Sequence, residues 1–171
     1  VQPFTRWLNK KEMASTLNFP DLIFNGANLF VLPFWALIIL LPGWSVTQRV
    51  MASYIPYGVL ASLYVYLFLT LDSSILQTFA DPQLSLTTLA GVFANPAVTA
   101  TGWVHFLVMD LFVGRWIYLQ GQASGIFTRH SLALCLFAGP LGLLSHLLTQ
   151  AVSQRFFANT KTEVSVENSA I

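Results

Sequence analysis

The sequence predicts an all-α integral membrane protein: a bundle of four transmembrane helices with an interfacial segment between helices 2 and 3. Three observations point to this class. Hydrophobic residues make up 55% of the 171 residues and charged residues only 9%, against roughly 25% charged in an average soluble domain. Apart from Asp110 and Arg115, the charged side chains stand outside the long apolar runs, which is how a bilayer sorts a sequence. Four runs, at about 22–41, 50–71, 97–119 and 131–152, reach the roughly 20 residues needed to cross a hydrocarbon core. The chain divides into an N-terminal tail at 1–20, a membrane domain at 21–153, and a polar C-terminal tail at 154–171 that composition assigns to disorder.

The first run follows Asp21 and ends at the turn-forming Leu41-Pro42-Gly43-Trp44. The tight 42–48 connection makes an antiparallel hairpin of the first two spans. Asn25 and Asn28 share a face at i, i+3, as interhelical hydrogen bonders or as contacts to a ligand. In the second run Tyr57 and Tyr64 line one face with Ala61 between them, suited to aromatic packing or to a flat polyene. Between the second and third runs, Leu86, Leu89, Ala90 and Phe93 recur at helical spacing in a piece too short to span, which predicts a helix lying along the interface. Internal prolines at Pro33, Pro56 and Pro140 each free a carbonyl four residues earlier, and kinked bundles of this kind can enclose cavities.

The fourth run carries a stripe of small or weakly polar residues: Ser131, Cys135, Ala138, Gly142, Ser145 and Thr149. Small residues let another backbone approach closely, which favours helix association in lipid. His146 sits at the edge of this stripe and is expected to face protein. With four spans both termini share a side, and the positive-inside rule places them in the cytoplasm or its equivalent. The first apolar run has no cleavage site after it, and a start at either Val1 or Met13 is compatible with the first span.

The third run poses the chemical question, because His105, Asp110 and Arg115 punctuate it at five-residue steps. A carboxylate at mid-span costs about 2.5–3.5 kcal/mol on insertion scales, so Asp110 is expected to point into the bundle. Five residues advance about 7.5 Å and turn about 140°, so the three groups do not form one stripe. Two roles stand side by side for Asp110 and His105: a buried hydrogen bond or ion pair that fixes helix register, or a proton donor and acceptor in a ligand pocket. Arg115 lies near enough to the helix end to snorkel toward headgroups.

Much chemistry is excluded. There is no HExxH, no Glu-x-x-His pair and no metal-ligand spacing among His105, His130 and His146, so neither a metal nor a chlorophyll or haem is expected. Gly-rich phosphate loops and GxSxG settings are absent. A net charge of +1 excludes a nucleic-acid partner, and the single Cys135 excludes an intrachain disulfide.

Three stretches, IFNGANLFVLPFWALIILLP at 23–42, GWVHFLVMDLFVGRWIY at 102–118 and RHSLALCLFAGPLGLLSHLLT at 129–149, resemble the abscisic-acid-deficient-four family of plant plastids and cyanobacteria. The resemblance covers about residues 20–153. It implies a four-helix protein of the thylakoid or plastid envelope, or of a photosynthetic bacterium's membrane, that binds a carotenoid and acts in neoxanthin formation from violaxanthin. The N-terminus lacks a Ser- and Arg-rich transit region and looks bacterial.

The implied chemistry opens an epoxide into an allenic alcohol, which needs an acid at the oxygen, a base at a vinylic carbon and no redox cofactor. Asp110 and His105 are the expected acid–base pair, with Asn25, Asn28, Tyr57, Tyr64, Arg115 and His146 as expected binding residues. Expected partners are the carotenoid, the lipid bilayer and membrane proteins of photosynthesis or of the carotenoid pathway. The rival readings are a non-enzymatic pigment-binding or assembly subunit of a photosynthetic complex, and a small transporter or proton pathway built around Asp110.

Overall fold

The computed structural model of the chain describes residues 19–168, with side chains to residue 155; the expected N-terminal tail at 1–18 lies outside the described residues. Those residues form eight α-helices and no strand. They are α1 Phe19–Leu40, α2 Ser45–Ala52, α3 Ile55–Leu69, α4 Ser73–Phe79, α5 Leu86–Phe93, α6 Pro96–Ser124, α7 Arg129–Phe137 and α8 Gly139–Asn168. Two of them, α1 and α6, are long and apolar enough to cross a membrane, and the pair α2 and α3, bent by 42°, makes a third if counted as one span.

α6 is the axis of the bundle, packed against α1, α3, α7 and α8. Its start is well specified: Asn95 accepts a hydrogen bond from the backbone N–H of Ala97 at 2.9 Å, and Pro96 occupies the first turn, where its missing N–H costs nothing. Its end is set by Gly125, whose φ of 69° ends the helix in the left-handed region. Val104, Leu111 and Tyr118 recur every seven residues and are buried. α1 lies parallel to α6. At one end of the pair the Trp103 indole donates to Asn28 Oδ1 at 3.0 Å, and at the other the Tyr118 hydroxyl donates to the Pro42 carbonyl at 2.8 Å. Between these points Gly114 admits the Trp35 ring; a Cβ there would lie 2.7 Å from it. α3 runs antiparallel, with Tyr57 edge-on to Phe112 and Tyr64 beside His105.

Transfer of an apolar side chain from lipid into protein gains little, so close packing and interhelical hydrogen bonds hold such a bundle, the latter averaging about 0.6 kcal/mol each with a maximum of about 1.7.

Two expectations need correction. Only Pro33 is internal to a helix; Pro56 and Pro140 stand in the first turns of α3 and α8, where a fixed φ favours initiation. The larger correction concerns 131–152, which is not one helix. The chain is extended at Ala138 (φ −161°, ψ 109°), and α8 folds back along α7. Ser131 and Ser145 meet through their hydroxyls at 3.0 Å, and His130 Nε2 meets Thr149 Oγ1 at 2.9 Å. In a straight helix residues 131 and 145 would stand about 21 Å apart.

The small-residue stripe is the seam of this hairpin. A Cβ on Gly142 would lie 2.6 Å from the Cα of Cys135. α8 then runs parallel to α6, with Gly139 beside Asp110 and His146 beside Trp116. It carries Arg155 toward the end of the bundle that holds Arg49 and Arg129, not toward the start of α1. The helix continues to Asn168 through residues whose composition suggests disorder, because extending a formed helix costs far less than nucleating one.

Candidate functional site

At the end of the bundle where α1 begins, α4 and α5 lie across the mouth between α3 and α6. Ser85 caps α5 by accepting from Thr88 N–H at 3.1 Å, and Thr99 on α6 donates to the Phe93 carbonyl, fixing α5 against the start of α6. The open-sided cavity between them is about 370 Å³. Phe79 and Phe93 close one side in an edge-to-face pair with centroids 6.4 Å apart. Gly102 lets Phe93 seat, since a Cβ there would come within 3.0 Å of its ring.

The lining is apolar, with Phe68 and Phe106 adding to the aromatic walls. Thr101 also lines the cavity, but its hydroxyl turns back on its own helix, donating to Ala97 O at 2.8 Å. That leaves Tyr64 and His105 as the polar side chains of the wall. Their rings stand 5.4 Å apart, tilted by 55°. The arrangement can take a bulky apolar group, with one phenol and one imidazole on its wall.

Asp110 belongs to a different assembly. Its carboxylate accepts from the Gly139 N–H at 3.1 Å, at the start of α8, where unsatisfied N–H groups and the helix dipole favour an anionic acceptor. The Cys135 thiol donates to the Asp110 carbonyl at 3.4 Å. A Cβ on Gly139 would overlap the carboxylate, so glycine is what the contact allows. The expected acid–base pair is therefore divided: His105 faces the cavity and Asp110 faces the hairpin tip.

The remaining expected site residues are dispersed. Arg115 does not snorkel. Its Nε donates to the Met51 carbonyl at 2.6 Å, and its guanidinium lies 4.5 Å from the Tyr54 ring centre, so it splints the break between α2 and α3. The break leaves that carbonyl without a helical partner, and the planar fork satisfies it. Tyr57 is buried beside this splint, its hydroxyl on Met51 Sδ at 3.4 Å. Asn28 joins α1 to α6, and Asn25 is exposed on α1. His146 is 1% exposed, edge-on to Trp116 at 5.3 Å, with neither ring nitrogen bonded. Of the residues expected from sequence, Tyr64 and His105 are the two that meet in the cavity. Phe79, Phe93 and Gly102 were not expected there. Phe93 alone had a legible signal, its helical spacing with Leu86 and Leu89.

The family model described as ABA DEFICIENT 4-like matches residues 22–146, a span that includes α1, the cavity and the hairpin tip. The chain is 35% identical over 150 residues to Protein ABA DEFICIENT 4, chloroplastic, from Arabidopsis thaliana. That match covers 85% of this chain and 66% of the relative, so the chain spans about two thirds of the relative's length. No solved structure matches the chain. With the family model matched over most of its length, the chain belongs to the ABA DEFICIENT 4-like family.

Proposed function

We propose that this is a membrane protein of xanthophyll metabolism that takes one end group of an epoxy-xanthophyll into the α3–α6 cavity and isomerises it there. The observation that carries the reading is the pairing of Tyr64 and His105 in an otherwise apolar, aromatic-walled cavity; family membership supplies the substrate class. At about 370 Å³ the cavity lies near the small end of ligand pockets, which run roughly 300–1,000 Å³. It suits one cyclohexane ring, with the polyene leaving between helices into lipid.

The reaction is redox-neutral. Tyr64 donates its phenolic proton to the epoxide oxygen as the ring-carbon–oxygen bond breaks. His105 removes the proton from the adjacent vinylic carbon, and that electron pair forms the cumulated double bond. Proton return from imidazolium to phenolate resets the pair, so substrate and product are isomers. Asp110 acts at a distance, by anchoring the hairpin that packs on the same helix as His105.

The bundle sits in the membrane with three crossings, α1, the bent α2–α3 pair and α6. α7 at nine residues is about 13.5 Å long, too short to span, so α7–α8 forms a re-entrant hairpin. The interface holds α4 and α5, and the host membrane is that of a plastid or a photosynthetic bacterium.

The test is incubation of the purified protein with an epoxy-xanthophyll of the violaxanthin type, followed by pigment chromatography. Wild type converts it to the allenic isomer, while His105→Gln and Tyr64→Phe stay folded and lose conversion. Stoichiometric pigment recovered unchanged from active-form wild type would replace the enzyme with a pigment-binding subunit.

A further inference from the structure

The opposite end of the bundle holds a second, more polar pocket of about 360 Å³, formed where the α6–α7 loop passes the end of α1 and lined by Pro42, Gln122, Thr128 and Arg129 among others. Gly121 makes it possible, because a Cβ there would lie 2.8 Å from Thr128 Oγ1 and 3.2 Å from the Ile126 carbonyl. Thr128 stands at the N-cap position of α7 but does not cap it. Its side chain turns toward α6 and is 8% exposed, and no partner holds its hydroxyl among the described residues. The first-turn N–H groups of α7 accordingly have no side-chain acceptor.

Among the residues whose side chains are described, charge is segregated along the bundle in a way that favours an anion here. Asp21, Asp72 and Asp81 lie on or beside the elements at the other end, and Asp110 is engaged at the hairpin tip. Arg49 and Arg129 lie at this end, and α8 brings Arg155 to it. Exposed Phe127 lines the pocket, and exposed Leu41 and Trp44 stand within two positions of its wall residue Pro42 in sequence, an aromatic and aliphatic rim of the kind expected at a membrane–water boundary.

We propose that this pocket binds the tetrahedral anionic headgroup of a membrane lipid, a phosphate or sulfonate, through the Arg129 fork, the Thr128 hydroxyl and the N-terminus of α7. A guanidinium matches two oxygens of such a group, a helix N-terminus offers N–H donors to a third, and the apolar rim takes the acyl chains. The site is separate from the xanthophyll cavity and needs only the membrane placement of the bundle.

The test uses the full chain in neutral detergent, with thermal unfolding followed by tryptophan fluorescence during titration. Phosphatidylglycerol should raise the transition temperature saturably, and phosphatidylcholine should not. Arg129→Gln and Thr128→Val should shift the midpoint of the phosphatidylglycerol titration to about tenfold higher concentration. Arg49→Gln, at the same end but outside the pocket, should leave it unchanged. Arg129→Lys keeps the charge and loses the fork, so it should also weaken binding and serves if the glutamine variant fails to fold. Equal weakening by Arg49→Gln overturns the proposal in favour of diffuse electrostatics. Inorganic phosphate reproducing the whole shift overturns the lipid assignment in favour of a free oxyanion. No phosphatidylglycerol shift in wild type overturns the site altogether.

Discussion

Asp110 and Gly139, twenty-nine positions apart, are joined by a 3.1 Å hydrogen bond from the glycine N–H to the carboxylate. This bond closes the tip of the α7–α8 hairpin against the middle of α6. A mid-span carboxyl is expensive in lipid, and here it has a defined employment: it accepts from a backbone N–H at the start of α8. The most conspicuous residue of the sequence thus reads as architecture, and the chemistry proposed above is assigned to His105, five residues earlier on the same helix.

Asp110→Ala should therefore cost about 0.5–2 kcal/mol, the range for losing an N-cap acceptor, seen as a lower unfolding temperature in detergent. Asp110→Asn keeps an acceptor oxygen and should be milder, with conversion retained. A well-folded Asp110→Asn protein that binds pigment but no longer converts it would return the acid role to Asp110.

Gly142→Leu should be far worse than Leu144→Phe. The first drives a side chain into the Cys135 backbone, an overpacking cost of typically 1–3 kcal/mol, whereas Leu144 is exposed. Comparable losses of yield and melting temperature for the two variants would mean that the α7–α8 seam is not close-packed.

Arg115→Gln should loosen the α2–α3 break by removing a charge-assisted bond to the Met51 carbonyl and the stacking on Tyr54, together about 1.5 kcal/mol. Arg115→Lys should recover only part of this, because an ammonium cannot donate from a planar fork. Thermal unfolding of both variants checks the order; full rescue by lysine would show that charge alone matters.

The proposed re-entrant placement of the α7–α8 hairpin predicts opposite faces for two engineered cysteines. With Cys135→Ser as background, a cysteine at Gln83 and one at Gln154 should label from opposite sides of sealed vesicles, and one at Ser45 should label with Gln154. Labelling of positions 83 and 154 from the same side is the result required by four full spans, and it would remove the hairpin.

The α6 helix was legible in the sequence as the third apolar run, and the α1–α6 contact was foreshadowed by Asn28. The reversal at Ala138 was not. An apolar run of spanning length has the same composition whether it is one helix or two antiparallel halves, and periodicity within each half is helical in both cases. The Gly139-Pro140 pair was the available signal, since glycine followed by proline marks a turn. The hydrophobic length on either side masks it, and Pro140 then reads as a proline internal to one span. Small residues at fours and threes were correctly seen as a packing face, but composition does not say that the partner is the preceding half of the same run. The cavity was half legible: Tyr64 and His105 are polar aromatics in apolar helices, while Phe79 and Phe93 acquire meaning only from the way α4 and α5 cross the start of α6.

The closure of the hairpin by a residue of α6 also imposes an order on biogenesis. A half-span hairpin entering lipid alone would bare the N–H groups at its tip to hydrocarbon, where each unsatisfied group costs several kcal/mol. Synthesis from the N-terminus delivers α6, with its carboxylate, before α7 and α8 leave the ribosome. The last segment can then settle against a surface already built to receive it. A circular permutant that places α7–α8 ahead of α6 would have the same contacts available and no assembled acceptor for them at the moment of insertion.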